Sequence, residues 1–207
     1  MIKSLGYMWR AWAIMVPVVV LNAVIQALLV LGDPVPGVSA WFIIASVISF
    51  VVLVASFLLV AVAMLQAVTG KVGFASVFHT AVSRSVRMLL WAAILTAAVI
   101  IGLVLYVAPG LLVLAVFPYL LIAVADGERQ PLPANFRAIG RHWVRWLVMI
   151  IGMGIWCFLL WLFTALNAFF ITGPISAFAA WIVLGLFASW FTCSWARVWR
   201  MPVRQRA

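Results

Sequence analysis

Residues 126–148 read DGERQPLPANFRAIGRHWVRWLV and hold two of the chain's three carboxylates, four of its thirteen basic side chains and one of its two histidines. A long apolar run stands on each side of this stretch. Of the 207 residues, 69% are hydrophobic and 8% charged, with a mean hydropathy of +1.32. A soluble domain carries about 25% charged residues, so this composition excludes one. Water is missing from a bilayer core, and a helix satisfies its own backbone there. Recurrent apolar runs of about 18 residues or more therefore predict an all-α, polytopic membrane protein.

Six spans are predicted, at roughly 11–31, 40–68, 88–107, 111–125, 146–170 and 175–195, as one integral membrane domain over 1–207. The first run is too long for a signal-peptide core, and Gly32-Asp33-Pro34 is not a small-residue cleavage site, so it is read as a retained span. The fourth contains Pro118 and, at ~1.5 Å per residue, barely crosses a core of ~30 Å. Six spans put both termini and the linkers 69–87 and 126–145 on one side. All thirteen Lys and Arg lie there, and the three opposite turns hold none. The positive-inside bias makes that side cytoplasmic. Trp9, Trp12, Trp143, Trp146, Trp195 and Trp199 stand beside basic residues, as an interfacial belt requires.

Both long linkers read as amphipathic interfacial helices. In the first, Phe74, Val77, Phe78, Ala81 and Val82 oppose His79, Arg84 and Arg87; in the second, Leu132, Phe136, Ile139 and Trp143 oppose Arg137, Arg141 and Arg145. Pro133 suits a first helical turn. A shift of 58 brings Phe78, Val86, Arg87 and Leu89 onto Phe136, Val144, Arg145 and Leu147; a shift of 134 brings Gly6, Trp9 and Trp12 onto Gly140, Trp143 and Trp146. A threefold repeat of helical hairpins, parallel about an axis along the membrane normal, would produce this pattern. Chance identity in a chain of low diversity would also produce it, and both readings stay open.

An apolar span, Ala108-Pro109-Gly110, a short span, Asp126-Gly127, and a Phe136-Arg137-Ala138-Ile139 helix entering Trp143-Val144-Arg145-Trp146-Leu147 together resemble a known family. It is the membrane domain joined to some glycerophosphodiester phosphodiesterases, with the related YciC-type bacterial inner-membrane proteins. The resemblance covers roughly residues 100–165. The phosphodiesterase members carry their chemistry in a separate soluble barrel, and these residues include none. What the resemblance implies is a membrane scaffold in a bacterial-type inner membrane, without the reaction.

No nucleophile with its base and no metal set stands out, so no catalytic residue, cofactor or metal is expected. Asp126 and Glu128, two residues apart, are read as solvated or arginine-paired rather than as a cation site. His79 and His142 lack neighbours at ligand spacing, and Cys157 and Cys193 are read as helix-packing residues. Asn22 and Gln26 share a helix face and, with Asn167, are the candidates for a polar path; interhelical hydrogen bonding is their commoner use. Gly152, Gly154 and Gly185, with Ser176 and Ser189, read as sites of close helix approach, within the chain or with a partner.

The net charge of +10 is confined to the membrane rim and points to anionic lipid, not nucleic acid. The lipid-binding candidates are Arg137, Arg141 and Arg145, with Trp143, Trp146, Lys71, Arg84 and Arg87. The expected function is that of a non-enzymatic, lipid-contacting scaffold or accessory subunit of an envelope or transport complex. Its partners are membrane lipids and a membrane protein or a second copy of itself. A small permease-like subunit is the alternative, and an enzyme acting on lipid head groups comes third.

Overall fold

The computed structural model describes residues 2–32, 39–70, 72–105, 107–170 and 173–201, without the side chains of 2, 3, 32, 105, 107, 108 and 167–170. Eight helices follow in order among them: α1 (Ile2–Gly32), α2 (Ala40–Thr69), α3 (Phe74–Leu105), α4 (Val107–Val116), α5 (Leu120–Asp126), α6 (Pro131–Arg141), α7 (Trp143–Phe170) and α8 (Pro174–Trp199). Among the described residues, six stretches are long and apolar enough to cross a membrane: Ser4–Leu31, Ala40–Thr69, Phe74–Val104, Pro109–Asp126, Trp143–Leu166 and Pro174–Trp199. The count and class agree with the sequence reading. One boundary moves: residues 74–87 are not a separate linker helix but the first turns of α3.

Helix α1 shows how the bundle is built. Ala11, Ile14, Met15, Val19, Asn22, Ala23, Gln26 and Ala27 are buried at helical spacing, while Val16, Val20, Leu21 and Leu28 face outward. The buried stripe packs on α2 and, most extensively, on α8. Gly185 permits that approach, because a methyl group there would stand 2.7 Å from Val19 Cγ1. At the other face, Ser49 Oγ donates to Gln26 Oε1 at 2.8 Å and clasps α2 to α1. Near the start of α1, Ser4 Oγ accepts from Trp190 Nε1 at 3.1 Å, and Ser4 O accepts from Cys193 Sγ at 3.3 Å, both on α8. Pro17 lies within α1 without ending it.

Pro118 has a different outcome. The fourth span is broken at residues 117–119, between α4 and α5. Helix α4 folds back onto α3 backbone to backbone: a methyl group at Gly102 would meet Gly110 N at 2.7 Å. A break inside an apolar span frees backbone groups that must find other partners. Asn135, fully buried on α6, takes both sides of it. Its Nδ2 donates to Val116 O at 2.8 Å, and its Oδ1 accepts from Tyr119 N at 3.0 Å. Trp146 Nε1 donates to Ala115 O at 2.9 Å. Helix α6 is thus docked by a polar clamp as well as by Pro131, Ala134 and Ala138, its small buried side chains.

Helix α7 is the least covered span, with Ile151, Ile155, Phe158 and Trp161 more than half exposed. Cys157 lies on its exposed surface, and nothing stands within 4 Å of a methyl group built at Gly154. Cys157 therefore departs from its expected packing role, and of the two readings for Gly154 only approach by a partner remains. Cys193 and Gly185 keep the packing role within the chain.

Candidate functional site

The basic side chains with described contacts gather at one end of the bundle, where α1 begins, α2 gives way to α3, α5 gives way to α6, and α8 ends. Several are committed to the fold. Arg84 Nη1 donates to Ala125 O, and Arg87 Nη2 donates to Arg129 O at 2.6 Å. Arg200 pairs with Asp126, which also accepts from Trp199 Nε1 at 2.9 Å. Arg137 stands 3.8 Å from Glu128, both side chains largely exposed, a geometry that contributes little stability.

Three clefts open between these groups. The first, about 160 Å³, is lined by Arg84 and Arg200 and includes Asp126. The second, about 100 Å³, has Arg137, Arg141 and His142 and includes Glu128. The third, about 240 Å³, has Arg145 from α7 and Arg197 from α8, with Ser4 and Ser194. Among the described residues, no carboxylate lines the third. The two acids expected to be solvated or paired are indeed paired with arginines, and they face different clefts.

The sequence places Arg137, Arg141 and Arg145 on one helix side at four-residue steps. The structure divides them, because α6 ends at Arg141, His142 leaves the helical region at φ −134°, and α7 begins at Trp143. Arg145 also donates to Met201 Sδ. Trp143 is 61% exposed beside this end, whereas Trp146 turns inward to Ala115 O. Trp9 and Trp12 are exposed and stacked, with ring centres 5.9 Å apart; Trp195 is buried and Trp199 holds Asp126. Lys71 lies outside the described residues.

His142 lines the second cleft. Its Nε2 is buried without a hydrogen-bond partner. Burial first, then the charges of Arg145 and Arg141, hold its pKa below the ordinary histidine value, against a hydrogen bond with the Met201 backbone. His79 is exposed on α3, and among the described residues no three His, Cys, Asp or Glu side chains come together.

Of the polar-path candidates, Gln26 is engaged with Ser49, and Asn22 lines a cavity that is open on one side. The side chain of Asn167 lies outside the described residues. Sequence reasoning missed Asn135, which looks like any polar linker residue, and the pairing of Arg145 with Arg197, which no local spacing signals. No protein-family model matches the chain, and neither characterised proteins nor solved structures match it.

Proposed function

We propose that this is a non-enzymatic, multi-pass protein of a bacterial-type inner membrane whose arginine-rich end faces the cytoplasm and holds anionic lipid. It serves as a lipid-contacting scaffold or accessory subunit of an envelope or transport complex. The orientation follows from thirteen basic residues on one side and none in the opposite turns. Helix α6 acts as an interfacial helix, with Leu132 and Phe136 turned outward beside Arg137 and Arg141. The hairpin-repeat reading draws on Gly70 and Gly127, left-handed helix caps at the entrance to each linker, although they stand 57 residues apart and not 58. The little-covered face of α7 suits lipid, a partner subunit or a second copy.

The observation that carries the lipid reading is the third cleft, where Arg145 and Arg197 converge and, among the described residues, no carboxylate neutralises them. It moves the centre of binding from Arg137 and Arg141, whose cleft contains Glu128, to α7 and α8. Each basic side chain near an anionic surface contributes about 1 kcal/mol, so the pair biases occupancy roughly 30-fold. Native mass spectrometry of the purified protein with phosphatidylglycerol tests this. Arg145→Gln with Arg197→Gln should lose retained lipid, and Arg137→Gln with Arg141→Gln should lose less. Equal retention in all three proteins, with topology unchanged by reporter fusions at Gly73 and Gly173, would reject lipid binding at this end.

A further inference from the structure

Helices α1, α2, α3 and α8 surround a cavity of about 470 Å³ near the middle of their length. It lies apart from the arginine clefts. Helices α3 and α8 both flank it, yet among the described residues they form no substantial interface with each other, which leaves a gap toward the surrounding lipid. The volume falls within the ~300–1,000 Å³ of sites that enclose a small organic ligand.

The wall is almost wholly apolar, and no charged side chain lines it among the described residues. Three of its polar side chains are more than nine-tenths buried: Asn22 on α1, and Ser189 and Thr192 on α8. Ser189 Oγ donates to Gly185 O and Thr192 Oγ1 donates to Ala188 O, each at 2.7 Å. Both hydroxyl protons are therefore used within α8, and these two side chains offer the cavity lone pairs only; the less buried Ser56, Thr96 and Trp181 also line it. Asn22 Oδ1 is a third acceptor, buried without a partner. A buried acceptor of this kind calls for a donor. A charged donor would find no counter-charge in this wall and would stay in water.

We infer that the cavity binds a neutral lipid alcohol, whose hydroxyl donates to Asn22 Oδ1 once the amide turns toward the cavity and whose hydrocarbon fills the apolar space between α2, α3 and α8. The occupant enters from the bilayer through the gap between α3 and α8.

The test uses the full chain in phosphatidylcholine nanodiscs with a diazirine-bearing hexadecanol, photolysed and mapped by peptide mass spectrometry. Insertion should concentrate on Phe50, Phe57 and Trp181, which line the cavity, rather than on Phe158 of the exposed α7 face. At equal mole fraction in the bilayer, unlabelled hexadecanol should compete about tenfold better than its methyl ether, which has the same chain and no donor. Asn22→Leu should erase that difference, and Ala188→Phe, which fills the cavity, should remove the labelling. Labelling spread evenly over outward-facing side chains would overturn the site. Equal competition by alcohol and ether in the unmodified protein would overturn the ligand class, with no dependence on how a variant folds.

Discussion

Residues 69–87 and 126–145 are alike in charge, and each is entered through a left-handed glycine, Gly70 at φ 93° and Gly127 at φ 87°. From Phe74 onward the first nevertheless runs without interruption as part of α3, whereas the second folds as α6 and turns at His142 before α7 begins. Pro131 and Pro133 favour a new helix start in the second linker, and residues 74–105 contain no proline. The jobs of the two segments differ accordingly. Arg84 and Arg87 of the first are staples, handing guanidinium donors to Ala125 O at the end of α5 and to Arg129 O on the second. The second supplies Asn135 and holds the broken fourth span together. Similar patterns of charge and apolar spacing therefore conceal different mechanical roles.

The sharpest way to break this comparison is to remove the clamp. Asn135→Leu would leave Val116 O and Tyr119 N without partners at a buried position, at a cost of about 2–4 kcal/mol. The residue that a shift of 58 brings onto Asn135 is Val77, which is buried and apolar in an unbroken helix. Val77→Leu should cost less than Asn135→Leu, since it leaves no polar group unpaired. Unfolding in mixed micelles, followed by tryptophan fluorescence, gives both values. An Asn135→Leu protein as stable as the parent would mean that the break is satisfied by other groups.

The clamp also shows where the sequence stops being legible. The number of spans follows from apolar run length, and the Pro/Gly turns mark several of the ends. The same rules locate Pro118 as a disturbance, because a proline removes a donor and obstructs the preceding turn. They do not say what replaces the lost bonds. That answer lies in an asparagine 16 residues after Tyr119, on what looks like a solvated helix. Gln26 and Asn22 share a helix face by spacing, yet Gln26 meets Ser49 and Asn22 meets a cavity, because different neighbours surround each turn of α1. Likewise, Trp143 and Trp146 are equal candidates for a membrane belt until Ala115 O offers Trp146 an acceptor inside the protein. Burial and long-range partners are properties of the packed bundle, and local periodicity does not contain them.

A smaller effect separates the two entrance glycines. Alanine in a left-handed conformation costs about 1 kcal/mol relative to glycine. Gly70 faces open space, so Gly70→Ala should cost that much and no more. A methyl group at Gly127 would also stand 2.9 Å from Arg84 Nη2 and press on the staple that reaches Ala125 O. Gly127→Ala should be the more damaging of the two in the same unfolding measurement. In an Arg84→Ala background the two glycine substitutions should cost the same. A persistent difference there would mean that Arg84 is not what distinguishes the linkers.

The smallest effect concerns the turn itself. His142 lies where the second linker departs from the first, with its Nε2 buried and its pKa held below the usual 6.5 by burial and by Arg145 and Arg141. The folded protein therefore binds this proton less readily than the unfolded chain does. Between the lowered value and about 6.5, the unfolded state carries more protons, so stability rises with pH across that window. The contribution is fully present above about pH 6.5, declines as the pH falls, and levels off once the folded ring is also protonated. Unfolding in a neutral detergent from about pH 7.5 to 5.5 should show this decline in the parent, and His142→Gln should flatten it. His79→Gln, an exposed change on the first linker, should leave the His142 decline in place. If His142→Gln kept the full slope, the acid sensitivity would have to come from elsewhere, and the turn would be a purely steric feature of the second linker.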